Sequence, residues 1–378
     1  MAKKGENVKA VILVGGEGTR LRPLTLNTPK SMVPIANRPF LEHMIEYLKR
    51  HGIDDIILTL CYLHNRTRRH FGDGSNFGIK LSYALEDSPL GTAGAVKNVD
   101  EHIDETFFVF NGDIFTDIDL TAMMEFHRKR GSKATIALTP VEDPTIYGVV
   151  ETNDEGRVRR FLEKPRRNEV TTNMINAGAY ILEPEVLSDI PEGSIFSFEQ
   201  GLFPLLLEHG DPLYGYHSSD YWIDIGTPEK YLKLHHDLLK GQVIRRFPGE
   251  QSGNGIWVEE GCDIQPRAEL EGPVVIGRNC VIGSGARVKG PSVIGQDCRI
   301  GENSLIEGSV VWQNAQLGQR VSLKNCVIAE SVAIGERTEV MEGCVLGSNV
   351  IVGSDKRLLP GTKVWPEEKH SCQELTGR

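Results

Sequence analysis

The chain has 378 residues, of which 39% are hydrophobic and 25% charged, and its formal net charge is −10. Such an acid surplus excludes a protein that holds nucleic acid by a general positive field, so any cation that meets an anion must be local. At roughly 150 residues per domain the length implies two or three domains, each large enough to bury a core.

No apolar run reaches the roughly 18 residues of a transmembrane helix, so no membrane partner is expected. The lysines of MAKKGENVKAVILVGG precede an apolar stretch too short for a secretory signal. The seven cysteines include no CxxC pair and read as free thiols of a cytoplasmic protein.

Through residue 240 the pattern alternates between strand and helix. Residues 8–14 form an apolar run that ends in Gly15 and Gly16, the mark of a buried strand and its turn. Residues 39–51 place Leu41, Met44, Ile45 and Leu48 on one helical face, with Gly52 as the stop. Strands are expected at 56–60 and 107–110, the latter running into Asn111, Gly112 and Asp113. A helix over 120–129 and a strand over 134–138 follow. This alternation predicts a mostly parallel α/β sheet, with ligands beyond the carboxyl ends of its strands. Both the glycine turn and Asp113 fall at such ends. Trp222 reads as core. An amphipathic helix over 229–240 carries His235 and His236 as a packed or solvated face, and 241–255 reads as a linker.

From residue 256 the period changes. Every sixth residue from Val258 through Ile264, Leu270, Ile276, Ile282, Val288, Ile294, Ile300 and Ile306 to Trp312 is large and apolar. Ile328, Ile334, Val340, Leu346 and Val352 repeat the period in a shifted register. Positions two before each large residue are mostly small, and glycine often follows. Hexads of this kind build the faces of a triangular β-helix, with the large side chain inward. Trp312 departs from the size rule and is expected to mark a slip of register. Cys262, Cys280 and Cys298 recur every 18 residues, as do Cys326 and Cys344, and read as interior fillers rather than metal ligands or disulfides. The domains expected are therefore 1–240, a linker at 241–255, a β-helix over 256–354, and a tail at 355–378 that caps the last coil.

The strongest local signal is GGEGTRLRPLT at 15–25, followed by Pro29 and Lys30. A glycine turn after a strand offers backbone N–H groups to phosphate oxygens, and Arg20 and Lys30 add fixed charge. The Walker GK[ST] is absent, and Leu21 stands where the dinucleotide fingerprint needs glycine.

These residues, with LGTAG at 90–94, NGD at 111–113, FLEKP at 161–165, NAG at 176–178 and DIG at 224–226, resemble the sugar-1-phosphate nucleotidyltransferases. The resemblance covers nearly the whole chain. It implies a Rossmann-like nucleotide-diphospho-sugar transferase domain followed by a left-handed parallel β-helix. It further implies that Gly15, Gly16, Gly18, Thr19, Gly91 and Thr92 line the nucleotide site. Arg20 and Lys30 are expected at the triphosphate, and Lys164 at the sugar phosphate. Asn111, Gly148, Glu163 and Asn176 are expected at the sugar. Asp113 and Asp224 are expected to hold Mg²⁺. The substrates implied are a nucleoside triphosphate and a sugar 1-phosphate. INAG, DIGTPEKY and LGTAG together most resemble the mannose-1-phosphate guanylyltransferases. Glucose-1-phosphate thymidylyl- or uridylyltransfer is the alternative, and a non-catalytic NDP-sugar-binding regulator is a further one. An acyltransferase on the β-helix would want a histidine base, and residues 256–354 contain none. The β-helix is expected to support a homo-oligomer, a dimer or a tetramer.

Overall fold

The computed structural model describes residues 8–243, 246–253, 255–366 and 369–370. Parts of the expected linker (244, 245 and 254) and of the expected tail (367, 368 and 371–378) lie outside the described residues. Two compact units emerge, and they are not collinear with the sequence. The first takes Met1–Glu17 and Leu41–Asp224, the second Gly18–Phe40 and Ile225–Arg378.

In the first unit the strand Lys9–Leu13 lies between Asp55–Leu60 and Phe107–Asn111, parallel to both, and Lys80–Leu85 extends the parallel half. The other half is mixed. Met174–Leu182 runs antiparallel to Phe107–Asn111, Ala134–Pro140 and Gly148–Thr152, and only Leu213–His217 pairs parallel to Ala134–Pro140. The mostly parallel expectation thus holds for half the sheet. One further antiparallel pair has a local cause: a short turn, in which Gly156 N–H donates to the Asn153 carbonyl at 2.9 Å, folds Gly148–Thr152 back onto Val158–Glu163.

The helices are α1 (Phe40–Arg50), α2 (His64–Phe71), α3 (Gly91–Lys97), α4 (Leu120–Arg130), α5 (Phe203–His209) and α6 (Pro228–Leu239). Leu41, Met44, Ile45 and Leu48 of α1 are buried, as their spacing requires. Asp119 caps α4 by accepting from the N–H groups of Thr121 and Ala122, and Gly131 ends it in the left-handed conformation. The core of this unit gathers Val11, Ile57, Phe107, Val109, Tyr180 and Phe203.

The second unit contains α6, the segment Gly18–Phe40 and a three-faced parallel β-helix. Ile276, Ile282, Val288, Ile294, Ile300 and Ile306 point inward and are buried, as the hexads require. Trp312 does not continue the column. Val311 stands opposite both Ile294 and Ile328 and takes the interior position. The corner after Ile306 is one residue short, so the indole is displaced from the interior column. The tail also departs from expectation. Arg357–Leu358, Lys363–Val364 and Lys369–His370 extend all three ladders, and Leu358 and Val364 join the interior core. Because 352, 358 and 364 keep the hexad spacing, this stretch is coil rather than cap. The cysteines are free fillers: the thiols of Cys262, Cys280 and Cys298 donate to the carbonyls of Gly277, Gly295 and Trp312 at 3.0–3.1 Å.

One face of the β-helix is apolar outside as well as in. Val275, Val293, Val310, Val327 and Val345 stand in register facing outward, yet all are buried. Helix α6 lies against this face, with Leu232 and His236 beside Val327 and Val345. Another face carries ion pairs between successive coils, including Arg287 with Glu269 and Arg357 with Glu339. A chain ended after Gly353 would uncover Val340 and Leu346, each side chain worth roughly 1.5–3 kcal/mol of burial. It should melt below the full chain and bind more of an apolar dye; equal melting would contradict the extended coil.

Candidate active site

The motif residues of the first unit meet at the carboxyl ends of Lys9–Leu13 and Phe107–Asn111. Gly112 N–H donates to the Leu13 carbonyl at 2.9 Å. A Cβ on Gly112 would lie 2.4 Å from that oxygen, so the turn into Asp113 requires glycine. Gly15 packs beside Cys61 and Glu86, and Gly16 faces open space. Glu86 accepts from Leu90 N–H at 3.0 Å, at the entry to α3. Gly91 opens α3 at φ +75°, where a Cβ would also lie 2.6 Å from the Phe196 carbonyl. That carbonyl accepts from Ala93 and Gly94 N–H, so the start of α3 is tied to the segment around Phe196.

A buried relay continues from there. Phe198 N–H donates to Thr92 Oγ1 at 2.9 Å, and the Thr92 hydroxyl donates to Glu199 Oε2 at 3.1 Å. Tyr180 donates to Glu199 Oε1 at 3.3 Å and accepts from Asn176 Nδ2 at 2.8 Å. Asn176 Oδ1 accepts from Gly178 N–H at 2.9 Å. A carboxylate can only accept, so Glu199 sets the direction of the Tyr180 proton and hence the orientation of the Asn176 amide. The Asn111 amide packs on Gly178, and its Oδ1 is buried without a hydrogen-bond partner. Burial pushes the Glu199 carboxyl and the Tyr180 phenol upward.

On the other side of the rim, Gly148 stands opposite Glu163 and packs against Phe161. Lys164 lies at φ +46°, its N–H held by the Tyr147 carbonyl and its ammonium 3.4 Å from Glu163 Oε1. The Tyr147 hydroxyl donates to Asp224 Oδ1 at 2.7 Å. Asp224 is buried and stands opposite Ile114, the neighbour of Asp113. Trp222 is half-buried rather than core. Its N–H donates to the Ala177 carbonyl at 2.8 Å, and its ring meets Tyr147 edge-on. These contacts connect Thr92, Asn111, Asp113, Gly148, Glu163, Lys164, Asn176 and Asp224 within one unit.

The remaining motif residues, Gly18, Thr19, Arg20 and Lys30, belong to the second unit. Gly18 packs against Lys30 and Thr25, and its carbonyl accepts from the Thr25 hydroxyl at 2.7 Å. Leu21 and Leu24 are fully buried and anchor the segment, while Thr19 and Arg20 remain exposed.

Tyr147, Tyr180 and Glu199 belong to no motif singled out in the sequence. Tyr180 shares a strand face with Asn176, which period two makes visible. Glu199 is a lone acid in the apolar run SIFSFEQGLF, the one available sign of a buried carboxyl. Among the described residues, three metal-ligand-type side chains cluster at Asp189, His209 and Asp211, where Lys133 holds Asp211 at 2.7 Å.

The chain matches the Nucleotidyl transferase family over residues 9–241. It belongs to that family. Residues 253–358 match the EIF2B subunit epsilon LbH domain, a left-handed β-helix. A mannose-1-phosphate guanylyltransferase of Mycobacterium tuberculosis is 42% identical, over 72% of this chain and 75% of that one. The mannose-1-phosphate guanylyltransferase catalytic subunit beta of Danio rerio is 37% identical over 96% of both chains. A UTP–glucose-1-phosphate uridylyltransferase of Synechocystis is 36% identical, over 82% of this chain and 84% of that one. The nucleotidyl transferase fold therefore carries sugar-1-phosphate nucleotidyltransferase activity here, in a family that generally uses a divalent metal. Among the described residues, no helix is long and apolar enough to cross a membrane.

Because burial raises the Glu199 carboxyl above its unfolded value near 4.3, the folded state holds the extra proton in the window above that value. Stability from this group therefore falls as pH rises through the window. Glu199→Gln should flatten the fall of melting temperature with pH between about 4.3 and the raised value. An unchanged slope would contradict the burial assignment.

Proposed function

We propose that this enzyme transfers the guanylyl group of GTP to mannose 1-phosphate, forming GDP-mannose and pyrophosphate, with Mg²⁺ as its metal. The observation that carries the reading is the 37% identity kept across 96% of both chains with a guanylyltransferase catalytic subunit. The uridylyltransferase relative, 36% identical over 82% of this chain, is less similar than the 42% identical guanylyltransferase and shorter in alignment than the catalytic subunit beta, and it supports the alternative less well.

The chemistry explains the cast. A phosphate oxygen of mannose 1-phosphate attacks the α-phosphorus of GTP. A new P–O bond forms, the bond to the oxygen bridging toward the β-phosphorus breaks, and its electron pair leaves with pyrophosphate. A phosphate monoester carries about −1.5 to −2 at pH 7, so no side chain need take a proton from it. The obstacle is repulsion. Lys164 is assigned to the sugar phosphate, and Arg20 and Lys30 to the β- and γ-phosphates. Gly15, Gly16, Gly18, Thr19, Gly91 and Thr92 are assigned to the nucleotide. Gly148, Glu163, Asn111 and Asn176 are assigned to the sugar; the partnerless Oδ1 of Asn111 supports this, because it can accept from a hydroxyl.

Asp113 and Asp224 are assigned to the metal. Asp224 ends a strand paired with Ile114–Thr116 and stands opposite Ile114, Asp113 lies in the turn just before Ile114, and both offer hard oxygen donors. Magnesium takes one or two carboxylates and completes its shell with water and phosphate, so this donor set fits. When bound, the ion supplies positive charge between the reacting phosphates. Tyr147 holds Asp224 by its hydroxyl and fixes the carboxylate in place.

We also place the enzyme in the cytoplasm as a homo-oligomer of two or four copies, as its free described cysteines and its β-helix favour.

Pyrophosphate release, measured over a matrix of GTP, UTP and dTTP against mannose and glucose 1-phosphates, should be largest for GTP with mannose 1-phosphate. A maximum elsewhere in the matrix replaces the assignment, and silence throughout favours a non-catalytic regulator. Asp113→Asn and Asp224→Asn should each lower kcat by about 100-fold or more while the fold persists. Near-normal kcat in both would remove them from the metal site. Lys164→Ala should raise KM for mannose 1-phosphate by roughly tenfold or more; an unchanged KM would deny the contact.

A further inference from the structure

The displaced Trp312 has a use that the hexad pattern does not predict. Its indole N–H donates to the Tyr231 hydroxyl at 2.9 Å, both residues being buried. The Tyr231 hydroxyl in turn donates to the Pro34 carbonyl. One helical turn along α6, His235 Nδ1 meets the Tyr231 carbonyl at 2.9 Å, which assigns the proton to Nδ1. Its Nε2 then accepts from Ala36 N–H at 3.2 Å. From the β-helix itself, the Ile294 carbonyl accepts from Asn37 Nδ2 at 2.8 Å.

All of these bonds converge on one tight hairpin, Pro34–Ile35 paired with Arg38–Pro39. Its two turn residues, Ala36 and Asn37, lie at φ +46° and +68°. Alanine holds that conformation when its surroundings impose it, and here they do. The hairpin continues the segment that bears the cations. Val33 N–H donates to the Lys30 carbonyl, Met32 N–H to Pro29, and Phe40 N–H to Val33. Val33 and Ile35 are fully buried, as are Leu21 and Leu24 nearer Arg20. The segment Gly18–Phe40 therefore folds as part of the unit that contains the β-helix, although the sequence inserts it after the first strand of the other.

We propose that Trp312 and Tyr231 are positioning residues for the nucleotide: by fixing the hairpin Pro34–Pro39 to the β-helix, they hold Arg20 and Lys30 in the conformation that receives the triphosphate. The β-helix is then a working part of the catalytic apparatus. The inference rests on the triphosphate role proposed for Arg20 and Lys30, and its test reads the anchoring separately from turnover.

Hydrogen–deuterium exchange on the full-length protein compares wild type with Trp312→Phe, Tyr231→Phe and Asn37→Ala. The amides of residues 19–40 should exchange at least tenfold faster in each variant, while those of Lys9–Leu13 and Phe107–Asn111 keep the wild-type rate. In the same variants KM for GTP should rise about tenfold and KM for mannose 1-phosphate stay within twofold. Trp312→Phe combined with Tyr231→Phe should be no worse than Tyr231→Phe alone, because both act on one chain of bonds. If Tyr231→Phe does not fold, the other two variants carry the test. Unchanged exchange over 19–40, or equal rises in both KM values, overturns the inference. A wild type without turnover overturns the reaction assignment instead, and the exchange rates still decide the anchoring.

Discussion

Two phosphates that must come within bonding distance carry charge of the same sign, and that repulsion is the constraint on which the proposed site depends. At about 4 Å and an effective dielectric constant near 20, each pair of unit charges opposes approach by about 4 kcal/mol. A chain with a net charge of −10 has no general field to offset this. Compensation has to come from fixed groups: Arg20, Lys30 and Lys164 as the proposed cations, and Asp113 with Asp224 as the proposed seat of a metal. Fixed charge is effective because it needs no reorganisation when the reaction begins. Much of the surrounding structure can be read as the means of fixing it. Gly112 is pressed onto the Leu13 carbonyl, Tyr147 holds Asp224, and Lys164 is held in a left-handed backbone conformation.

The neutral part of the rim answers a different demand, direction rather than charge. Glu199 accepts from both Thr92 and Tyr180, and Tyr180 accepts from Asn176. One acceptor-only group thus orients three side chains in series, from the start of α3 to the strand Met174–Leu182. Its burial raises the carboxyl pKa, so the ionised form is held at a cost to stability. The proposed reaction gives a reason to keep such a group, because a sugar is recognised by hydroxyls whose partners must present the correct donor or acceptor.

The sequence carried the local features well. The strand into Gly15, the stripe of α1 and the hexads from Ile276 to Ile306 are short-range periodicities, and each appears where its spacing put it, whereas Ile264 in the first coil is exposed. Features set by distant partners were not available from periodicity. The direction of Met174–Leu182 depends on which strands it pairs with. The loss of one residue at a β-helix corner moved Val311 into the interior and displaced Trp312, a change that the six-residue count could only flag. The allocation of Gly18–Phe40 to the β-helix unit rests on bonds to α6 and to Ile294, far along the chain. Motif residues assigned to substrate in the proposed reaction came from the family resemblance, while the glycine turn with Arg20 and Lys30 and the strand-end position of Asp113 were readable from type and spacing. Those that orient them, such as Tyr147, Tyr180 and Glu199, were not, because a supporting residue needs only to be near in space.

In the proposed reaction the sugar phosphate itself attacks the nucleotide, with no side chain as nucleophile. Exchange of labelled pyrophosphate into GTP tests this most directly. With Mg²⁺ present and mannose 1-phosphate and GDP-mannose both absent, no label should enter GTP, and exchange should become rapid once the sugar phosphate is added. Exchange without the sugar phosphate would reveal a guanylylated enzyme and contradict direct displacement.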